Sequence, residues 1–245
     1  MIDILREHGL FLLVGQFPNG PIGGLVATIL IAVLGLLLSF PCAVLLALAR
    51  VSSYGWLRHP AAAIIAFFRA MPFLMVIFWG YFLLPWLLGR PVGGFATMVA
   101  VLVIYESSYL AEVIRSGIEG VGKGQSEAAS SLGMGYWQTM LLVILPQALH
   151  NSLPAMLGIL ISIIKETSLG YVISVNEFTF ASVQVNSLLL TKPVEVFSIV
   201  AITYFILCFM LTQVARTLDR RIQRRRTRET SDDSPPTGQP LVTAV

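Results

Sequence analysis

The chain has 245 residues, of which 56% are hydrophobic and only 12% are charged. Soluble domains carry about 25% charged residues, and the mean hydropathy here is +0.80, so the composition excludes an ordinary soluble enzyme and predicts an integral membrane protein. The cysteines, Cys42 and Cys208, each lie alone in an apolar stretch, and the histidines are scattered. We therefore expect neither a disulfide nor a metal site.

Apolar stretches long enough to cross about 30 Å of hydrocarbon recur along the chain. They predict an all-α membrane protein with about five spans, at 25–48, 61–84, 95–114, 147–164 and 194–214. The first 22 residues lack a positive region followed by an apolar core, so no cleavable signal peptide is expected. Residues 166–193 are only moderately apolar and are expected to hold a short interfacial helix.

The chain end is basic and then polar. Seven arginines follow the last span: Arg216, Arg220, Arg221, Arg224, Arg225, Arg226 and Arg228. From Glu229 onward Ser, Asp, Pro and Thr dominate, which predicts disorder. The expected organisation is an extracytoplasmic segment at 1–22, a transmembrane domain at 23–216 and a cytoplasmic tail at 217–245.

Positive charge predicts the orientation in the membrane, because cytoplasmic loops carry an excess of Lys and Arg. With five spans, one side receives the tail arginines together with Arg50, Arg58, Arg115 and Lys123. The other side receives Arg6, Arg90, Lys165 and Lys192. The asymmetry predicts an outside N-terminus and a cytoplasmic C-terminus. It also places the connection between the third and fourth spans in the cytoplasm.

That connection, 116–146, is polar and rich in small residues. Ser126 is expected to cap a short helix, with Glu127 in its first turn where the helix dipole favours a carboxylate. Gly133 suits the left-handed position that ends a helix. A second helical run from Trp137 is expected to stop at Pro146, because proline lacks the N–H that would continue it. The predicted product is a helix-turn-helix compact enough to enter a partner's cleft.

This stretch resembles the EAA loop of permease subunits of bacterial ABC importers. The pattern is Glu-Ala-Ala, three residues, Gly, nine residues, Ile, one residue and Leu-Pro, and it is met by Glu127, Ala128, Ala129, Gly133, Leu145 and Pro146. Val143 stands where the pattern has Ile. The resemblance implies that the loop docks into a groove on a cytoplasmic ATPase subunit and transmits its motion. The alternative is an ordinary amphipathic helix pair at the membrane interface.

Other segments resemble the polar amino-acid branch of these permeases. They are Phe68–Pro72, Tyr105–Arg115 and Lys165–Leu169, and Gln125 precedes Glu127 as it does there. The resemblance implies the MetI-like fold of a type I ABC importer permease in the bacterial inner membrane. It also implies a second permease subunit, identical or similar, a dimer of ATPase subunits that bind ATP and Mg, and an extracytoplasmic amino-acid-binding protein.

The chain itself holds no convincing nucleotide site. Gly117–Lys123 has the glycine and lysine spacing of a phosphate-binding loop, but Gly124 stands where Ser or Thr would hold Mg²⁺, and no strand is expected before it. We therefore expect no cofactor and no enzymatic activity in this chain. The basic tail is interpreted as an anchor for anionic lipids, not as a nucleic-acid surface.

Two charges are expected deep in the membrane, where each needs a partner or a function. Arg69 and Glu106 lie at similar depth, so they could form a structural ion pair or a polar site on the transport path. Glu112 and Arg115, at i and i+3, can pair near the interface. The candidate translocation residues are Arg69, Glu106, Tyr109, Lys165, Thr167 and Ser168.

The resulting hypothesis is a permease subunit of an ATP-driven importer of polar amino acids. Similarity around Phe68–Val76 favours glutamate and aspartate, with glutamine, histidine or another polar amino acid as the alternative. Two more distant alternatives are a secondary transporter that acts alone and a membrane anchor that does not transport.

Overall fold

The computed structural model describes residues 1–232, with side chains described to Arg220 and at Ile222. Helices dominate this part of the chain. They are α1 (Ile2–Val14), α2 (Gly24–Val51), α3 (Gly55–Ala70), α4 (Phe73–Leu88), α5 (Gly94–Glu119), α6 (Lys123–Ser131), α7 (Tyr136–Gln138), α8 (Leu145–Glu166), α9 (Phe178–Leu189) and α10 (Pro193–Asp232). A π-helical segment (Thr139–Ile144) joins α7 to α8, and a 3-10 helix (Thr167–Ile173) follows α8.

The predicted number of spans is confirmed within the described residues. Four helical stretches are long and apolar enough to cross a membrane: Gly24–Val51, Gly94–Glu119, Tyr136–Ile173 and Pro193–Arg220. The bent pair α3 and α4 makes a fifth when it is counted as one span. A short helix, as predicted between 166 and 193, is present as α9.

The second span is not the continuous helix that hydropathy predicted. α3 and α4 meet at a bend of 106°. Met71 and Pro72 both have extended backbone at the break. The cause is local, because proline lacks an amide proton and its ring disfavours helical backbone in the residue before it. The bend places polar backbone and the end of α3, with Arg69, next to the middle of α5.

α5 is the central helix, and it packs against α2, α3, α4 and α8. Fully buried Ile31, Ile77, Leu102 and Ile163 bring four helices together in one core. A second core lies towards the opposite end of α5 and includes Leu110, Ile114, Ile144 and Ala148. These two clusters fix the helices on either side of the polar middle of α5.

α5 and α8 are in close contact at Gly117. A Cβ atom there would overlap the Ser152 hydroxyl and lie 2.9 Å from the Ala148 carbonyl oxygen. Only glycine lets the two backbones come this close without displacing one of them. This contact, the Gly117 clamp, holds the beginning of α8 against the end of α5.

At the other end of the bundle α1 packs on α2 and α9. Ile4 and Leu12 of α1 are buried in a cluster with Phe178 and Val185 of α9. The sequence analysis predicted no helix in residues 1–22, so the structure adds α1 to the predicted elements. Its sequence gives little signal, because its outward face is also apolar, as exposed Leu10 shows.

Two predicted boundaries need correction. The helical run from Tyr136 does not stop at Pro146, because the wider π turn accommodates the proline and the helix continues to Glu166. The last helix, α10, continues past Glu229 to Asp232, where disorder was expected. The rest of the predicted disordered tail, 233–245, lies outside the described residues.

Candidate coupling surface and translocation site

The EAA segment forms α6, but Ser126 is not its cap. The helix begins earlier, at Lys123 after Gly122, so Ser126 and Glu127 lie beyond the first turn. The Ser126 hydroxyl donates to the Lys123 carbonyl oxygen at 2.7 Å. Inside a helix a serine hydroxyl commonly bonds a carbonyl of the preceding turn in this way. The predicted capping role is therefore wrong, while the predicted short helix is present.

The predicted end of this helix at Gly133 is confirmed. Gly133 has φ +80°, in the left-handed region. Its N–H donates to the Ser130 carbonyl at 3.0 Å, and the Met134 N–H donates to the Ala129 carbonyl at 3.1 Å. This pair of hydrogen bonds is the Schellman motif, which satisfies the last carbonyls of a helix. The sharp turn it produces sends the chain back towards the membrane.

The second arm runs through α7 and the π-helical segment into α8. The Gly135 N–H donates to the Gln138 side-chain oxygen at 3.1 Å, which caps the arm. α6 packs against the π-helical segment. Leu145 and Pro146, which the EAA pattern predicts for coupling, thus occupy the first turn of α8. The helix-turn-helix is rigidly continuous with α8.

The outer side of this helix-turn-helix forms an exposed surface, which we call the coupling surface and define by Glu127, Ala128, Leu132, Trp137 and Leu142. The Leu132 side chain is 83% exposed and Leu142 is 70% exposed. Glu127 and Ala128 are also exposed, whereas Ala129 is buried against the second arm. Leu132 and Trp137 flank the turn itself, where exposed large apolar side chains are typical of a docking site for another protein.

The glycines and the lysine at 117–124, which have the spacing of a phosphate-binding loop, belong to the end of one helix and the start of the next. Gly117 lies inside α5, Gly120 ends it and Lys123 begins α6. No strand precedes the glycines, so the arrangement that cradles a nucleotide phosphate is missing from this stretch.

The structural ion pair, one of the two possibilities for Arg69 and Glu106, is not formed. The Arg69 guanidinium carbon instead lies 5.5 Å from the centre of the Tyr109 ring, within cation–π range. Within residues 1–220 no ion pair joins Arg69 to Glu106. The difference follows from the bend at Met71–Pro72, because Arg69 sits at the end of α3 and faces a different turn of α5.

The tyrosines of α5 support the bend. The Tyr105 hydroxyl donates to the Met71 carbonyl oxygen at 3.4 Å and lies 3.1 Å from the Tyr109 hydroxyl. The Tyr105 ring also packs on Phe73, with 4.8 Å between ring centres. A chain of contacts thus runs from Arg69 through both tyrosines to the break in the second span.

Glu106 instead faces Glu166, at the end of α8. Their side chains interact, and Glu106 is only 2% exposed. The Oε2 atom of Glu166 is buried and accepts no hydrogen bond from the described residues. Two carboxylates held this close repel unless a proton or a cation lies between them. The pair is therefore suited to receive a positively charged group.

The other predicted pathway residues lie near this pair but turn away from it. The hydroxyls of Thr167 and Ser168 donate to carbonyls of their own turn, Ile164 and Lys165, at 2.7 and 2.6 Å. Lys165 is exposed. The sequence prediction missed Glu166 and Tyr105, although both stand inside the segments quoted for the resemblance. The signal that could have identified Glu166 was the need of Glu106, a charged residue inside a span, for a partner on another helix.

The predicted ion pair of Glu112 with Arg115 is confirmed, with 2.6 Å between the closest atoms. Arg115 also contacts Glu119 one turn later, at 2.5 Å. These partly exposed groups lie at the end of α5 that carries the Gly117 clamp, so they stabilise the helix and not the deep polar site.

Comparison with known proteins agrees with this arrangement. Residues 39–224 match the family model described as binding-protein-dependent transport system inner membrane component. The chain belongs to this family. It is therefore a multi-pass component of the inner membrane, as predicted.

Similar curated proteins are amino-acid permeases. The chain is 35% identical over 210 residues to the inner membrane amino-acid ABC transporter permease protein YhdY of Escherichia coli K12, covering 84% of this chain and 57% of YhdY. It is 32% identical over 205 residues to the glutamate/aspartate import permease protein GltK of Escherichia coli O6:H1, covering 81% of this chain and 91% of GltK. The chain thus spans little more than half of YhdY.

A solved structure confirms the predicted fold. An amino acid ABC transporter crystallised with histidines matches with a TM-score of 0.77 at 29% identity, covering 90% of this chain and 97% of that one. The predicted type I ABC importer permease fold and the predicted family are both confirmed by these similarities.

Proposed function

We propose that this chain is the transmembrane permease subunit of an ATP-driven importer of polar amino acids. The observation that carries the proposal is the coupling surface, built by a Schellman turn and joined without a break to a membrane span. Membership of the family supports the proposal, and so do relatives whose names describe amino-acid permeases. ATP hydrolysis would belong to a separate ATPase dimer that binds ATP and Mg.

The proposed assembly contains three kinds of protein partner, in the membrane and on either side of it. The ATPase dimer docks on the coupling surface in the cytoplasm. A second permease subunit, identical or similar, completes the passage, and an extracytoplasmic binding protein delivers the amino acid. The arginine asymmetry supports an outside N-terminus and a cytoplasmic C-terminus.

The deep polar site supports an amino-acid substrate. The facing carboxyl groups of Glu106 and Glu166 would receive the ammonium group that every amino acid carries, because a cation between them removes their mutual repulsion. The unpartnered Glu166 oxygen supplies a free acceptor. Glu106 is buried in this conformation, so the helices must move before substrate enters.

Arg69 supports acidic amino acids as the first candidates. Since it pairs with the Tyr109 ring and not with Glu106, its charge is not neutralised by that carboxylate. The side-chain carboxylate of a glutamate or aspartate substrate would contact Arg69 while its ammonium group binds Glu106 and Glu166. Glutamine and histidine are the alternative substrates, because they need only the ammonium site.

Uptake by the complete complex in liposomes tests the proposal. Labelled glutamate, aspartate, glutamine, histidine and arginine are offered with and without ATP inside, to the wild type and to Arg69→Gln and Glu106→Gln. We expect ATP-dependent import, a loss of all import in Glu106→Gln and a selective loss of acidic import in Arg69→Gln. Each variant is first checked for insertion and assembly.

Three results would contradict parts of the proposal. Import driven by an ion gradient without ATP would favour a secondary transporter, and no import with intact ATPase binding would favour a membrane anchor. Preferred import of arginine or histidine would exclude the acidic assignment alone. Unchanged glutamate import in a stably inserted Arg69→Gln protein would remove Arg69 from the pathway.

A further inference from the structure

The contact between α6 and α8 depends on a residue that the EAA pattern does not include. The Gln147 side-chain nitrogen donates to the Val143 carbonyl oxygen at 2.9 Å. The same nitrogen lies 3.4 Å from the side-chain oxygen of Gln125, in α6. One amide group therefore contacts both the coupling helix and the backbone of the second arm.

The backbone that Gln147 contacts is irregular. In the π-helical segment the hydrogen bonds are shifted by one residue, so that the Leu145 N–H donates to the Met140 carbonyl. Pro146 then supplies no N–H at all. In a regular α-helix its ring would also clash with the Leu142 carbonyl, and the wider π turn relieves this. Pro146 consequently gives no hydrogen bond to a carbonyl of the preceding turn.

Rigid packing lies directly beyond Gln147. Ala148 is fully buried, and with Ser152 it forms the α8 side of the Gly117 clamp. Ile144, one turn earlier, is buried in the same core. The π-helical segment and Gln147 therefore both connect α6 to a part of α8 that is fixed on α5. Gln147 stands at this boundary.

We propose that Gln147 is a positioning residue for energy coupling, which ties the coupling helix α6 to the π-helical start of α8. When the ATPase moves α6, the Gln125–Gln147 contact carries that displacement into the span. This inference rests on the proposed function, because it assigns a role within ATP-driven import. Gln147 touches neither substrate nor nucleotide.

The test compares import with ATP hydrolysis in the complete complex in liposomes. The variant Gln147→Met keeps the length of the side chain and removes its amide. His150→Met is the matched control, because His150 is exposed in the same helix. The labelled amino acid is whichever of glutamate, aspartate, glutamine, histidine and arginine the wild type imports fastest. Assembly with the ATPase is checked by size exclusion.

We expect Gln147→Met to hydrolyse ATP while importing about three- to ten-fold less amino acid per ATP, the range for losing one or two hydrogen bonds. His150→Met should keep the wild-type ratio. Gln125→Met should lower the ratio too, and the double variant should be no worse than Gln147→Met, because both changes break one contact.

An unchanged ratio in Gln147→Met, or effects of the two changes that multiply, overturns the inference. If Gln147→Met fails to assemble, Gln125→Met decides, and an unchanged ratio in that variant has the same consequence. A wild-type complex that imports none of the five amino acids contradicts the proposed function instead. The two failures are therefore distinguishable.

Discussion

Gly117 of α5 and Ser152 of α8 lie so close that a single methyl group on Gly117 would overlap the serine hydroxyl. The Ser152 hydroxyl donates to the Val113 carbonyl oxygen at 3.4 Å, one turn before the glycine. This contact holds α8, the span that follows the coupling surface, against the end of α5. It also predicts which glycine of the 117–124 segment is indispensable.

Gly117→Ala should destabilise the purified permease by about 1–3 kcal/mol, as overpacking of a tight contact does. Gly124→Ala is the control, because a Cβ there meets nothing within 4 Å. Thermal unfolding in detergent measures the difference. A second change, Ser152→Ala, should restore part of the loss, and the absence of any loss in Gly117→Ala would disprove the clamp.

The turn at Gly133 gives a prediction about coupling. A Cβ at Gly133 meets no atom within 4 Å, so its replacement acts only through the positive φ. Gly133→Val should cost at least about 1 kcal/mol locally and abolish import, while Gly133→Asn, which tolerates this backbone, should keep most of it. The readout is uptake together with substrate-stimulated ATP hydrolysis.

Gly135 provides the matched position for that experiment. Its φ is −73°, which any residue adopts, and the nearest atom to an added Cβ is 3.9 Å away. Gly135→Ala should therefore leave coupling intact. Full import and stimulated hydrolysis in Gly133→Val would show that this turn is not the coupling element.

The hydrogen bond from Tyr105 to the Met71 carbonyl predicts how the broken span is held. Tyr105→Phe removes this bond and should lower stability by about 1 kcal/mol. Tyr109→Phe keeps it and removes only the contact between the two hydroxyls. Thermal unfolding of both variants in detergent should show that Tyr105→Phe is less stable than Tyr109→Phe. The reverse order would mean that Tyr105 does not stabilise the break.

Glu177 gives a pH-dependent prediction at the α9 end of the bundle. Its carboxylate accepts hydrogen bonds from the N–H groups of Thr179 and Phe180, and Tyr204 of α10 donates to it at 3.3 Å. Thr28 of α2 lies beside it and accepts from the Phe178 N–H. Burial outweighs these bonds and raises the pKa of the Glu177 carboxyl to about 7.

Because this pKa is raised, the folded protein binds the proton more tightly than the unfolded chain does. The contribution of Glu177 to stability should therefore be largest below about pH 4.5 and should be lost as the pH rises through about 7. Glu177→Gln carries no such titration. The melting temperature of this variant, minus that of the wild type, should increase from pH 5 to pH 7.5, and a constant difference would contradict the prediction.

The proposed orientation predicts opposite labelling of two exposed positions. Cysteines are introduced singly by Ser187→Cys in α9 and Thr217→Cys in α10, after Cys42 and Cys208 are replaced by Ala. In intact cells an impermeant thiol reagent should label the first and not the second. Labelling of both in permeabilised cells is the control. Labelling of the Thr217→Cys protein from outside would reverse the orientation and the coupling assignment.

The spans were predictable because length and apolarity are local properties of the sequence. Proline was harder to interpret. Pro72 breaks a span that hydropathy reads as continuous, whereas Pro146, expected to end a helix, is accommodated by a π turn. The outcome depends on whether the surrounding packing offers the backbone another way to satisfy its hydrogen bonds, which a local pattern does not contain.

The helix-turn-helix was largely predictable, and the deep site was not. Glu127, Ala128 and Gly133 follow a fixed spacing within one loop, and Gly133 adopts the backbone that its residue type allows. Glu106 and Glu166 come from different helices, and only the bundle brings them together. Depth in the membrane alone suggested Arg69 as the partner of Glu106. Depth gives no information on which face of α5 each residue meets, and the suggestion failed for that reason.

The π-helical segment also has a geometric consequence for the long helix that contains it. One extra residue in a helix rotates everything beyond it by about 100° about the axis. The side chains before Thr139 and those after Ile144 are therefore out of phase. One continuous helix can in this way aim Trp137 at a water-facing partner and still aim Ala148 and Met156 at the interior of the bundle.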